Sequence, residues 1–263
     1  MIDDVVTPVH DDADQIDGAT ARSVVVRFSH IDAAGIIFYP RYFELLSQAY
    51  PESPFAVPPF AMKTEYRKPN RLGDKVRIAH DANRSAPGWS FSGQMDGCEH
   101  FLVTGQQLQE EVPALDAHRP QEPAFQAAAL NIAAWATDYT GCLQVSRFFE
   151  LVNYAVEQWF EKMLGMPFYE LHLIHGLGIP TVEMNTRCRA LPHIGDLVTM
   201  WVRPTKIGSR SLVFTCWLVG DDGCLVENEQ VIVFVKMTEG GFETITIPDD
   251  IRSRLETQLQ TVK

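Results

Sequence analysis

The chain contains an internal repeat, and this repeat constrains its fold more than any other feature of the sequence. Residues 29–45 read SHIDAAGIIFYPRYFEL, and residues 135–151 read WATDYTGCLQVSRFFEL. Aligned without a gap, at an offset of 106 residues (138 minus 32), the two segments match at Asp32 and Asp138, Gly35 and Gly141, Arg41 and Arg147, Phe43 and Phe149, Glu44 and Glu150, and Leu45 and Leu151. Self-similarity at a fixed spacing indicates a duplicated structural unit. The sequence therefore predicts two copies of one fold.

A second pair of segments extends the repeat. Residues 66–76 (YRKPNRLGDKV) align with residues 188–198 (CRALPHIGDLV) at an offset of 122 (195 minus 73). The larger offset indicates an insertion in the second copy, around residues 161–178. The tripeptide Asp-Gly-Cys at residues 96–98 returns at residues 222–224 and predicts a turn between two paired strands in each copy.

A segment rich in proline and charge separates the two copies. It reads EEVPALDAHRPQEPAF and lacks a periodic apolar pattern, which is typical of a linker. The length of 263 residues also favours two domains. We therefore predict a flexible N-terminal tail at residues 1–20, a first domain at 21–112, a linker at 113–128 and a second domain at 129–263.

The coarse secondary structure is the same in both copies. Each begins with an apolar run typical of a strand, at residues 23–29 and 131–137. A helix should follow, with Pro40 in its first turn in one copy and Ser146 as its N-cap in the other. Further strands are predicted near residues 60–67, 75–80, 89–95 and 100–106, and near 181–188, 197–204, 211–219 and 224–237. With a surface helix over residues 248–260, the pattern predicts an α+β fold.

Charge and composition exclude several classes of function. The net charge is −12 and no Lys/Arg-rich stripe offsets it, so nucleic acid is not an expected partner. The acidic N-terminal residues do not resemble a signal peptide and no apolar run could span a bilayer, so we expect a cytoplasmic protein without a membrane partner. Five widely spaced cysteines favour reduced thiols. His172 and His175 lack partners at ligand spacing, which favours a loop or pocket lining, and we expect neither metal nor cofactor.

The segment HIDAAGIIFYPRYFE, residues 30–44, carries the most specific motif of the chain. It closely resembles the active-site signature of the 4-hydroxybenzoyl-CoA thioesterase family of hot-dog proteins, in which an Asp precedes A-G-I-V-x-Y-P and then the central helix. The resemblance covers most of residues 20–250, taken as two copies. It implies two tandem hot-dog domains, each an antiparallel sheet wrapped around a central helix. It also implies an internal pseudo-dimer, joined edge to edge with sites at the seam and free to form a further homo-dimer.

The same resemblance implies a thioester hydrolase acting on an acyl-CoA substrate, whose acyl group could be aromatic or of medium length. By position, its catalytic carboxylate falls on Asp32, and the amide that polarises the thioester carbonyl falls on the backbone N–H of Tyr39. Unpaired amides at a helix N-terminus suit the charge that develops on this oxygen. The carboxylate could attack the carbonyl or activate water. The alternative for Asp32 is a turn residue, because D-x-x-G is an ordinary loop pattern.

The remaining candidate residues flank these positions. Gly35 would supply a backbone conformation that a Cβ hinders, or let a ligand approach closely. His30 could tune the charge of Asp32 or touch substrate, and is otherwise a strand residue with a satisfied ring. The second copy keeps Asp138 and Gly141 but loses Tyr-Pro, so Asp138 is either a second catalytic group or a turn residue. In the first case, the backbone N–H of Val145 would be the oxyanion donor.

Two further functions compete with hydrolysis. Hydration or dehydration of an acyl thioester on the same fold requires a His and an acidic residue placed for proton transfer, and the chain lacks a D-x-N-P-x-H-x-D signature. The third possibility is a non-catalytic acyl-CoA-binding protein.

Two groups of basic residues could bind the phosphates of CoA or protect strand edges. They are Arg67, Lys68, Arg71 and Lys75 in one copy and Arg189, Arg203, Lys206 and Arg210 in the other.

Overall fold

The chain folds as two consecutive units, each built on one strand, a central helix and four further strands. The computed structural model describes residues 14–16, 19–81, 88–108, 124–238 and 241–260. The elements of the first unit are β1 (Asp14–Ile16), β2 (Ala19–Val25), α1 (Arg41–Ala49), β3 (Phe60–Tyr66), β4 (Lys75–His80), β5 (Trp89–Met95) and β6 (Cys98–Gln107). Those of the second are β7 (Phe125–Asn131), α2 (Val145–Leu164), β8 (Leu177–Gly178), β9 (Thr181–Cys188), β10 (Leu197–Ile207), β11 (Ser211–Gly220), β12 (Gly223–Val233), β13 (Val235–Thr238), β14 (Gly241–Thr244) and α3 (Asp249–Gln260).

The order of strands in the main sheet shows the duplication directly. The first unit runs β2-β4-β5-β6-β3, and the second unit runs β7-β10-β11-β12-β9 in the mirrored direction along the same sheet. Strand β3 pairs antiparallel with β9, from Phe60 opposite Cys188 to Glu65 opposite Glu183. With β1 on the outer edge, the two sheets form one continuous antiparallel sheet of eleven strands. The predicted α+β architecture of two tandem hot-dog domains, joined edge to edge, is confirmed.

The two central helices meet over the seam through the residues that revealed the repeat. The rings of Phe43 and Phe149 stack with centroids 4.7 Å apart, and both are fully buried. Beside them lies an ion cluster in which Arg41 contacts Glu150 at 2.7 Å and Glu44 in its own helix. Its mirror image is Arg147, which contacts Glu150 at 2.7 Å and Glu44 at 3.4 Å. The matching residues therefore pack against each other across the pseudo-twofold axis.

The predicted first strand of each unit is wrong by several residues. Strands β2 and β7 end at Val25 and Asn131, and short 3₁₀ turns, Phe28–His30 and Ala134–Ala136, follow where the sequence predicted strand. In the first turn, the backbone N–H of Arg27 donates to Nδ1 of the buried His30 at 3.1 Å. Such a side-chain bond draws the backbone out of the ladder, and apolar alternation does not reveal it.

The helix starts are partly as predicted. Pro40 stands directly before α1 with helical backbone angles. The N-cap of α2 is Gln144, whose side chain donates to the carbonyl of Thr137 at 3.1 Å, while Ser146 is buried inside the first turn. The predicted cap at Ser146 is therefore wrong, because this position faces the core rather than the free amides of the turn.

The later elements follow the sequence pattern closely. The eight predicted strands after the helices are present, and the last divides at Phe234, whose N–H donates to the carbonyl of Arg210 at 2.8 Å. The surface helix is α3. Strand β1 and the first residues of β7 lie in the ranges assigned to the tail and the linker, while most of both ranges lies outside the described residues.

The insertion of the second unit extends the central helix. Helix α2 has 20 residues against 9 in α1, and a π-helical turn, Glu170–Ile174, follows it. Strand β8 then pairs with β13, which pairs with β14, forming a small second sheet. This added wall stands over the seam on the side of the first unit's Asp32 loop.

The ion cluster should contribute measurably to stability. We expect Glu150→Gln to lower the free energy of unfolding by about 2 kcal/mol, because two partly buried guanidinium groups lose a charged acceptor. Urea unfolding measures the change. The control is Glu161→Gln, which breaks a surface pair with Lys162 whose side chains are 45% and 61% exposed, and which should cost less than about 0.5 kcal/mol. Equal losses in the two variants would contradict a special role for the cluster.

Candidate active site

A cavity of about 390 Å³ lies at the seam and is lined by both units. The first unit contributes the loop from Asp32 to Tyr39 and the end of β3, while the second contributes α2, its insertion and the ends of β9 and β12. Asp32 is exposed at the mouth, whereas Gln230 on β12 is only 2% exposed and lies at the inner end. The site therefore exists only where the two units meet.

Asp32 sits in a tight turn and lines this cavity. Its Oδ1 accepts the backbone N–H of Ala34 at 2.8 Å and that of Ile36 at 3.4 Å, and its carbonyl accepts the N–H of Gly35 at 3.0 Å. Gly35 has a φ of +73°, a left-handed conformation that a Cβ would disfavour. Gly35 does not line the cavity, so its role in the structure is in the turn. Asp32 is both a turn residue and a cavity residue.

The surroundings of Asp32 change its acidity. Burial raises the pKa of its carboxyl above the ordinary value, although the residue as a whole is exposed. The amides of Ala34 and Ile36 and the charge of His172 act in the opposite direction and are weaker. A carboxylate with a raised pKa holds a proton more readily, as a general base requires.

Tyr39 is fixed at the start of α1 by contacts with both units. Its hydroxyl donates to the carbonyl of Phe149 at 3.1 Å, and its own carbonyl accepts the hydroxyl of Tyr66 at 3.2 Å. Within the described ranges, the backbone N–H of Tyr39 has no hydrogen-bond acceptor, and Tyr39 lines the cavity. An amide that is held rigidly and left unpaired can receive a hydrogen-bond acceptor from a ligand.

His172 enters the cavity from the insertion of the second unit. Its Nδ1 lies 2.6 Å from the carbonyl of Leu177, so Nδ1 carries the proton and Nε2 is left for other contacts. His172 thus matches the pocket-lining alternative of the sequence analysis, while His175 is exposed and outside the cavity. Over the described ranges, no group of His, Cys, Asp and Glu could hold a metal ion, and no helix is long and apolar enough to cross a membrane.

Of the other candidates in the first unit, His30 lies outside the cavity, whereas Arg67 and Lys68 line it. His30 is 2% exposed, its Nδ1 is satisfied by Arg27, and burial lowers its pKa. Because His30 does not line the cavity, its position favours the satisfied-ring alternative, in a 3₁₀ turn instead of a strand. Among the basic residues, Arg67 and Lys68 line the cavity, and Arg67 also pairs with Glu65 at 3.1 Å.

The second copy of the Asp turn differs from the first. Asp138 Oδ1 accepts the Thr140 N–H at 2.8 Å, the Thr140 hydroxyl at 2.6 Å and the Cys142 N–H at 3.1 Å. Burial is the largest single influence and raises the pKa of Asp138, but the hydrogen bonds together outweigh it and lower the pKa overall. Gly141 repeats the left-handed turn with a φ of +85°. Asp138, Gly141 and the buried Val145 do not line the seam cavity.

Sequence reasoning missed the cavity residues of the second unit. Asn153, Thr181 and Gln230 come from three separate elements and meet only in the folded protein. Their spacing in the chain carries no motif. The one usable signal was the insertion itself, because residues 161–178 supply His172 and adjoin the other wall residues.

Comparison with known proteins identifies the fold. Residues 132–255, in the second unit, match the model of the Thioesterase-like superfamily. A protein of Lactobacillus plantarum provisionally described as an oleoyl thioesterase shares the fold with a TM-score of 0.59 at 10% identity, covering 84% of this chain and 97% of that one. A thioesterase-superfamily structure from Jannaschia sp. CCS1 gives 0.48 at 17% identity, covering 54% and 96%. No significant match was found among curated proteins. The chain therefore has a double hot-dog fold.

The two Asp turns should titrate at different pH values. We expect the Asp32 carboxyl to be half-protonated above pH 3.8 and the Asp138 carboxyl below it, as measured by ¹³C NMR of the side-chain carboxyl carbons. A reversed order would contradict the electrostatic difference described above.

The same difference predicts opposite effects of neutral substitutions on stability. The folded state favours protonated Asp32, so Asp32→Asn should raise the melting temperature at pH 7. Asp138 stabilises the folded state above its ordinary pKa, and this contribution is lost as the pH falls through its lowered folded value. Asp138→Asn should therefore lower the melting temperature at pH 7, and the loss should shrink towards pH 3.

Proposed function

We propose that the protein hydrolyses acyl-CoA thioesters at the seam cavity. The observation that carries the proposal is the placement of the Asp32 carboxylate, whose pKa is raised, in the same cavity as the rigid, unpaired N–H of Tyr39. A polarising amide and a basic carboxylate are the two groups that cleavage of a thioester needs. The match of the second unit to the thioesterase-like superfamily supports the same reaction class.

In the proposed mechanism, the thioester carbonyl oxygen accepts the Tyr39 N–H. Helix α1 behind this amide stabilises the negative charge that grows on the oxygen. Asp32 either removes a proton from a water molecule that attacks the carbonyl carbon, or attacks it directly to form an anhydride that water then cleaves. The carbon–sulfur bond breaks and the thiolate leaves as thiol after taking up a proton. A thiolate is a stable leaving group at neutral pH, so a strong acid is not required.

The walls of the cavity fit both ends of such a substrate. The inner part is lined mainly by apolar and aromatic side chains, among them Val156, Phe168 and Ile179. Arg67 and Lys68 line the same cavity and are exposed, where they could contact the phosphates of CoA. The acyl group would thus extend inwards from the thioester, with the carrier left at the surface.

Hydration of an enoyl thioester is the second candidate, because His172 shares the cavity with Asp32. A His and an acidic residue on opposite sides of a bound acyl chain could transfer protons at its α and β carbons. Loss of the ultraviolet absorbance of an enoyl-CoA without release of thiol would favour this reaction over hydrolysis.

Thiol release from a panel of acyl-CoAs tests the proposal. Wild type should release free CoA, and Asp32→Asn should reduce kcat/KM by about 10² to 10⁴, because the basic carboxylate is lost. The matched control is Asp138→Asn, which changes the equivalent turn outside the cavity and should stay within about twofold of wild type. Tight binding without release from any thioester would leave a non-catalytic binder. Loss of activity only in Asp138→Asn would place the reaction in the other unit.

A further inference from the structure

Gln230 presents an unpaired hydrogen-bonding group at the inner end of the seam cavity. Its side chain is 2% exposed, and its Nε2 donates to Oγ1 of Thr181 at 2.6 Å. Within the described ranges, its Oε1 has no hydrogen-bond partner. Buried polar atoms in proteins are nearly always paired, and an unpaired one in a ligand cavity points to a partner supplied by the ligand.

Asn228 shows that a buried, partly unpaired amide is not by itself a ligand-binding group. Asn228 lies two residues earlier on the same inward face of β12 and is also fully buried. Its Oδ1 accepts the Thr186 hydroxyl at 2.8 Å, and its Nδ2 is unpaired. Asn228 does not line the cavity, whereas Gln230 and its partner Thr181 do. Only the Gln230 amide stands where a ligand could reach it.

Tyr39 lies between the Gln230 amide and the proposed reacting centre. The backbone N–H of Tyr39 is the proposed oxyanion donor, and burial raises the pKa of its phenol while a hydrogen bond from the Gln230 side chain acts against that rise. The ring of Tyr39 therefore runs from the reacting end of the cavity towards Gln230.

The rest of the inner wall offers little to a polar substituent. Val156 and Ile232 are each 2% exposed and line the cavity, as does Ile179. A plain alkyl group would fill this space but leave the Gln230 carbonyl without either water or a donor. A group with one hydroxyl at this depth would satisfy that carbonyl and fill the same space.

We propose that Gln230 is a specificity-determining residue, which selects an acyl group that carries a hydroxyl or another hydrogen-bond donor at its inner end. Thr181 positions the amide by accepting its N–H, so that Oε1 is the end left for the substrate. This inference rests on the proposed function, since it requires the acyl group to occupy the cavity. Gln230 would thus select against unsubstituted acyl groups of the same length.

Three matched substrates test the selection. They are 4-hydroxyphenylacetyl-CoA, phenylacetyl-CoA and 4-methoxyphenylacetyl-CoA, which offer a donor, no polar group and an acceptor without a donor. We expect wild type to favour the hydroxyl compound in kcat/KM by about tenfold over each of the others. Equal or better use of the methoxy or unsubstituted compound would overturn the proposal, and this outcome needs no variant.

The Gln230→Met variant keeps the length of the side chain and removes its amide. We expect the preference for the hydroxyl compound to fall to about onefold, because without the amide an unsubstituted acyl group no longer leaves a buried carbonyl unpaired. Asn228→Leu, which removes the buried amide outside the cavity, should keep the full preference. Retention of the preference in Gln230→Met would overturn the assignment, as would its loss in Asn228→Leu.

Binding separates this proposal from the proposed hydrolysis. The probes are 2-oxoalkyl thioethers of CoA with the same three aryl groups, in which a methylene group separates the carbonyl from sulfur and prevents hydrolysis. Calorimetry should give a dissociation constant about tenfold lower for the hydroxyl probe. If no thioester is hydrolysed but this difference is found, the proposed function fails and the role of Gln230 stands. If thioesters are hydrolysed and the probes bind equally, the role of Gln230 fails alone.

Discussion

The pairing of β3 with β9 is the contact on which the rest of the structure depends. It joins two sheets through backbone hydrogen bonds and removes an exposed edge from each unit. At its end, Glu65 stands opposite Glu183, and Lys63 contacts the two carboxylates at 3.3 and 3.0 Å. The same pairing sets the central helices side by side and brings the wall of one unit over the Asp loop of the other. Without this seam the cavity has only half of its lining.

Duplication explains why the two Asp turns share a backbone but not an environment. Both carry a carboxylate that accepts backbone amides and a glycine in a left-handed conformation. The turn of Asp32 faces the long helix α2 and its insertion, which enclose a cavity, whereas no insertion of this kind follows the short helix α1. Thr140 adds a hydroxyl to the Asp138 turn where the first copy has Ala34. Removal of water dominates at one carboxylate and hydrogen bonding at the other.

Local patterns predicted most of the fold because each strand and helix buries one face. Alternating apolar residues marked β9 to β12, and the helical stripe marked α2, since burial acts on side chains a few residues apart. The errors occurred where one side-chain contact outweighed that pattern. His30 draws the chain into a 3₁₀ turn after β2, and the core-facing position of Ser146 moves the helix cap to Gln144. Such contacts depend on geometry that a run of residues does not contain.

The sequence by itself determined that this chain is a duplicated α+β protein and that Asp32 lies in a D-x-x-G turn before a helix. It did so because repeats, turns and helix starts depend on short, contiguous segments of the chain. The tertiary structure decided that Asp32, His172 and Gln230 share one cavity, and that Asp138 lies outside it. These residues come from different elements of two units, and only the seam between β3 and β9 brings them together. The physical reason is that desolvation and unpaired buried groups arise from contacts between distant segments, which no local spacing records.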